Sequence, residues 1–145
     1  MEDMNTKQYL KQISRLDRMI QNKLGELYKL KSMACSITIA PKDTNIQTSS
    51  DKDKLGSTVA KIVDLETEID NMVGEFVDKR RKIVDQIDNM ENDDYYHVLS
   101  MRYIEGKKFE DISKETKWSE RQVFRLHDKA ISDFERIYGK EYLSS

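Results

Sequence analysis

Proline occurs once in the 145 residues and glycine five times. That is too little turn chemistry for a sandwich or barrel, which needs a turn signal about every 8–12 residues. Cysteine also occurs once, as Cys35, which excludes an internal disulfide and a thiolate metal cluster. The two histidines, His97 and His127, have no cysteine or carboxylate triad beside them in the sequence, and no glycine-rich phosphate loop occurs. No enzyme, no cofactor and no metal is therefore expected. No apolar run approaches the ~20 residues of a membrane span. The start, MEDMNTKQYLKQ, is too polar for a secretory signal, so a soluble, intracellular protein without membrane contact is expected.

What the chain has is charge, in 36% of its residues, against 37% hydrophobic. Apolar surface is scarce enough that helices with narrow apolar stripes fit best, which makes the fold class all-α. The net charge of −2 is unevenly spread: +3 over residues 1–50, −6 over 51–94 and +1 over 95–145. The acidic middle repels nucleic acid, so any such contact is local and not purely electrostatic.

From about Asn5 to Ala34, the positions Leu10, Ile13, Asp17, Ile20, Leu24, Leu27, Lys31 and Ala34 recur at gaps of three and four. A second row runs Leu55, Val59, Ile62, Glu66, Ile69, Val73, Phe76, Arg80, Ile83, Ile87 and Met90. Both are heptad seams, and together they predict a long antiparallel helical hairpin, a coiled coil, over residues 1–92. Its turn is a mobile loop at about 35–54, which holds Pro41. Asp17 with Arg80, and Lys31 with Glu66, have residue numbers that sum to 97 in both cases, so one antiparallel register near that value pairs all four charges. Gly25 and Gly74 fall at one level of that hairpin, a hint of a bend or a close third partner. A parallel self-pairing of the second helix would stack like charges, whereas an antiparallel homo-oligomer stays open.

Residues 93–145 read as a compact domain. Asp93 or Asp94 caps a helix running from Tyr95 to Glu105, and Gly106 ends it. Phe109 and Ile112 face inward on a short second helix, and Ser119 with Gln122 forms a capping box opening the last one. Val123, Leu126, Ala130, Phe134 and Ile137 are its core face. A short helix, a tight turn and a longer capped helix make a helix-turn-helix. Outward on the last helix stand Glu120, Arg121, Phe124 and Arg125. The arginines can fork onto guanine, Glu120 can accept from a cytosine amino group, and Phe124 can pack on thymine methyls. Lys107, Lys108, Lys117, Ser119 and Lys129 lie where DNA backbone could be met. His127 is expected beside the recognition surface, Trp118 as a core plug under the turn, and Cys35 as inert.

The stretch VLSMRYIEGKKFEDISKETKWSERQVFRLHDKAI, residues 98–131, resembles sigma factor region 4. The resemblance lies in Met101, Arg102, Tyr103 and Gly106, in Asp111, Ile112 and Ser113, and in Ser119, Val123, Lys129 and Ala130. Ser113 stands where alanine is usual, and Trp118 where a small hydrophobic residue is. The layout as a whole is similar to phage-encoded, sigma-region-4-like late-gene activators of the ArpU/RinA type. That resemblance implies a bacterial host cytoplasm, double-stranded promoter DNA and host RNA polymerase as partners, and base reading by Glu120, Arg121, Phe124 and Arg125. A small-terminase-like DNA-packaging adaptor and a coiled-coil protein that docks polymerase without binding DNA are the alternatives.

Overall fold

The computed structural model describes residues 4–39 and 49–143. It is all-α: among the described residues there is no strand, and no helix is long and apolar enough to cross a membrane. Helix α1 spans Thr6–Ile39 and α2 spans Ser49–Asp88. Then come α3, Asp93–Leu99, a π-helical turn, Ser100–Ile104, α4, Phe109–Glu115, and α5, Glu120–Tyr142. The helices enter the segment read as a loop from both sides, taking in 35–39 and 49–54, because Ile37 continues the apolar period of α1 and SSDKDK opens α2. The remainder of that loop, 40–48, lies outside the described residues.

The chain divides into two compact units, residues 17–75 and residues 1–16 with 76–145. The division differs from a boundary at residue 92 for a physical reason. Leu10 and Ile13 of α1, with Ile83 and Ile87 of α2 and Met90, share one core with Val98, Leu99, Ile112, Val123, Ala130 and Phe134. Residues 93–145 alone would leave that core open. Asn5 starts α1 by accepting from the Gln8 amide N–H at 2.9 Å while its own N–H donates to Gln8 Oε1, also at 2.9 Å. The buried Gln86 amide accepts from the Tyr9 hydroxyl at 2.6 Å and donates to Glu141 at 2.5 Å.

In the unit 17–75 the covered stripe of α1 passes through Ile20, Lys23, Leu27, Leu30, Ala34 and Ile37. That of α2 passes through Leu55, Thr58, Ile62, Leu65, Ile69 and Met72. Lys23 bridges Glu68 at 3.3 Å. Each stripe keeps one row of the expected seam and replaces the other by the residue one position earlier, so Asp17, Lys31 and Glu66 are exposed in this unit and Arg80 is exposed in the other. A side chain one position away on a helix is turned by about 100°, enough to separate a covered row from an open one. Gly25 and Gly74 are both exposed, and a Cβ on either meets nothing within 4 Å.

Gly25→Ala and Gly74→Ala should each raise stability by about 1 kcal/mol in thermal unfolding, since the helix gains propensity and nothing is displaced. Gln86→Leu should cost about 1–3 kcal/mol by leaving the buried Tyr9 hydroxyl without an acceptor, and Tyr9→Phe added to it should recover most of that.

Candidate nucleic-acid interface

The route into α5 is held at each step. Asn92 caps α3, its Oδ1 accepting from the N–H groups of Asp94 at 2.9 Å and Tyr95 at 3.1 Å. It does so in place of the expected Asp93 or Asp94. The π turn then ends at Gly106, whose φ of 71° favours a residue without Cβ. The Lys107 N–H reaches back over it to the Met101 carbonyl at 3.0 Å. The inner face here is Val98, Leu99, Met101 and Tyr103, while Tyr96 is exposed.

Residues 116–119 join α4 to α5. The Thr116 hydroxyl donates to the Ile112 carbonyl at 2.7 Å, and the Ser113 hydroxyl donates to the Trp118 carbonyl at 2.9 Å. Ser113 thus supplies the bond that closes the turn over the half-buried Trp118. Ser119 opens α5 with a capping box: its Oγ accepts from the Gln122 N–H at 3.2 Å, and its own N–H donates to Gln122 Oε1 at 2.9 Å. Val123, Ala130 and Phe134 anchor the helix in the core, with Leu126 partly buried, whereas Ile137 is 40% exposed.

With α5 so fixed, Glu120, Arg121, Phe124 and Arg125 are all exposed on its first two turns. Phe124, 51% exposed, packs against Phe109 with ring centroids 4.7 Å apart. Arg102 lies 4.2 Å from the Phe109 centroid and donates to the Lys107 carbonyl at 3.0 Å. A cation over an aromatic ring is worth about 0.5–1 kcal/mol at exposed sites. The Arg102–Phe109–Phe124 stack is invisible to sequence spacing because its members belong to three separate elements.

The candidate backbone contacts differ from one another. Lys108, Lys117 and Lys129 are exposed. Lys107 hydrogen-bonds Glu115 and lies 3.7 Å from Glu105, and the bond to Glu115 raises its pKa. Its charge is shared with two carboxylates and is the least free for a phosphate. The Ser119 hydroxyl is engaged in the cap, and Lys129 stands on the outer side of α5 beyond Arg125.

His127 does not lie beside the exposed residues of α5 as expected: it is 3% exposed and faces the core of this unit. Its Nε2 lies 2.6 Å from the Tyr103 hydroxyl. Burial first, and then the charge of Lys7, push the imidazole down to about 4, and burial pushes the Tyr103 phenol up to about 12. The phenol therefore keeps its proton and the imidazole is neutral. The Tyr103 hydroxyl and Nε2 share one hydrogen bond, and Nδ1 lies 3.8 Å from Asp128 Oδ1.

These helices and this surface define an all-α protein that carries arginines and an aromatic residue at the exposed start of a capped helix. The chain belongs to the family described as Protein of unknown function (DUF1492), whose model matches residues 40–135. No curated protein and no solved structure matches it.

His127 makes stability depend on pH. Its folded pKa lies below the ordinary 6.5, so between pH 6.5 and about 4 the unfolded chain takes up a proton that the folded one refuses. Stability should fall on the order of 2–3 kcal/mol through that window and be fully present above it. His127→Gln keeps a hydrogen-bonding partner for Tyr103. It should flatten the His127 part of the dependence in denaturant titrations at a series of pH values, and a profile parallel to that of the unsubstituted chain would show that this imidazole is not buried neutral.

Proposed function

We propose that the chain binds double-stranded DNA sequence-specifically through a helix-turn-helix made of α4 and α5, and acts with host RNA polymerase as an activator of phage late genes. The observation that carries the reading is the exposed group Arg121, Phe124 and Arg125 on the opening turns of α5, held by the Ser119–Gln122 capping box. A recognition helix enters the major groove N-terminal end first, and those turns are where base edges are met. Arg121 and Arg125, one turn apart, are placed for guanine or a phosphate, Phe124 for thymine methyls and Glu120 for a cytosine amino group. Lys108, Lys117 and Lys129 serve the flanking backbone, with Lys107 a lesser contributor because of its acidic neighbours. The resemblance of residues 98–131 to sigma region 4 supports promoter DNA and polymerase as partners. In this reading α1 and α2 form an antiparallel coiled-coil hairpin that links copies, and the chain carries no catalytic site.

The test is selection of bound duplexes from random DNA by the full chain, with affinities then measured at fixed salt. Arg121→Ala and Arg125→Ala should each cost about 1–3 kcal/mol on the selected site and leave thermal unfolding unchanged, because both side chains point away from the core. Lys129→Ala should weaken all duplexes alike and reduce the log–log salt slope by about 0.9. If neither arginine variant alters affinity, α5 is not the recognition helix, and docking on polymerase without DNA takes its place.

A further inference from the structure

The unit 17–75 has a thin core. Among the described residues its buried apolar side chains are Ile20, Leu65 and Ile69, while Leu24, Tyr28, Met33, Val59, Val63 and Val73 are exposed. The open rows also carry an order. Beside the covered stripe of α1 stand Asp17, Leu24 and Lys31, seven residues apart, and beside that of α2 stand Glu66, Val73 and Arg80 at the same spacing. Each row reads acid, apolar, base.

Two such rows laid antiparallel set Lys31 on Glu66 and Leu24 on Val73, with Asp17 and Arg80 one period further out. Within the single chain that complementarity is unused: among the described residues Lys31 and Glu66 are exposed and take part in no ion pair, while Lys23 of α1 bridges the exposed Glu68 of α2. Antiparallel helices that pack through their covered stripes carry the adjoining rows on one common side, so a second copy can meet both rows at once.

We propose that two copies of this chain pair through these rows, α1 of each against α2 of the other, antiparallel, so that Leu24 faces the partner subunit's Val73 and Lys31 faces the partner subunit's Glu66. The twofold operation repeats every contact, as an isologous interface requires. A polypeptide of different sequence fits less well, because the two rows already complement each other in sign and spacing. The proposal rests on the antiparallel hairpin of the proposed function and not on its DNA binding.

Analytical ultracentrifugation of the full chain should give a dimer of twice 17.1 kDa. Leu24→Glu and Val73→Glu should each shift it to monomer with far-UV helicity retained. Lys31→Glu should raise the dimer Kd by about tenfold, since symmetry repeats the lost pair, and Lys31→Glu with Glu66→Lys should restore it. A second arm avoids buried charge. In a Cys35→Ser background, mixing Leu24→Cys chains with Val73→Cys chains should give a mixed interchain disulfide far faster than either protein forms one alone. A monomeric full chain, a double charge variant no tighter than Lys31→Glu, or crosslinking of Leu24→Cys with itself as fast as in the mixture would each overturn the proposal.

Discussion

Phe134 is completely buried, and the unit formed by 1–16 and 76–145 is built around it. Its ring lies 6.1 Å from Tyr9, 4.9 Å from Tyr138 and 6.2 Å from Tyr142, and Tyr9 stacks on Tyr142 at 4.1 Å. One side chain on α5 therefore gathers the beginning of α1 and the end of α5 into an aromatic cluster. A buried phenylalanine is worth several kcal/mol once the cavity cost of losing it is counted. The orientation of the exposed turns of α5 depends on that anchorage: Val123, Ala130 and Phe134 fix which side of the helix is inside, and so which side carries Arg121 and Arg125.

The turn before α5 is set by local chemistry instead. Thr116, Ser113 and Ser119 each give a hydroxyl to a bond between side chain and backbone within residues 112–122. Such bonds are individually worth about 1 kcal/mol. Their value here lies in direction, because they decide where α5 begins. The Ser113 hydroxyl is used on the Trp118 carbonyl, so a serine at this position has a structural reason.

Much of this was legible from spacing alone. The helical class, the Ser119–Gln122 box, the stop at Gly106 and the inward Ile112, Val123, Ala130 and Phe134 all follow from the residues and their period. The covered rows of α1 and α2 were harder, because two interleaved rows compete on each helix. On α1 a count of charges favours the observed row: Tyr9, Leu16, Leu30 and Ile37 accompany Lys23, against Asp17 and Lys31 in its neighbour. On α2 the rows through Leu65 and Met72 and through Val59 and Val73 are nearly equal in apolar content, and only the packing partner decides between them. His127 was hidden by its residue type. Its spacing of four from Val123 and three from Ala130 puts it on the inner stripe, and the Tyr103 hydroxyl that satisfies it lies 24 residues away. Nothing in the local sequence marks the π turn at Ser100–Ile104.

That π turn sets the phase of α4 and α5. Its wider loop, closed by the Glu105 N–H on the Ser100 carbonyl at 3.0 Å, accommodates one residue more than an α-helical turn does. Removing one residue between 100 and 104 would let α3 continue as ordinary helix and swing the chain beyond it by about 100°. The chain is thus more sensitive to length than to composition over these five residues: a conservative replacement keeps the phase, whereas a deletion turns Tyr103 off His127 and moves Gly106 from the one position where its positive φ is needed.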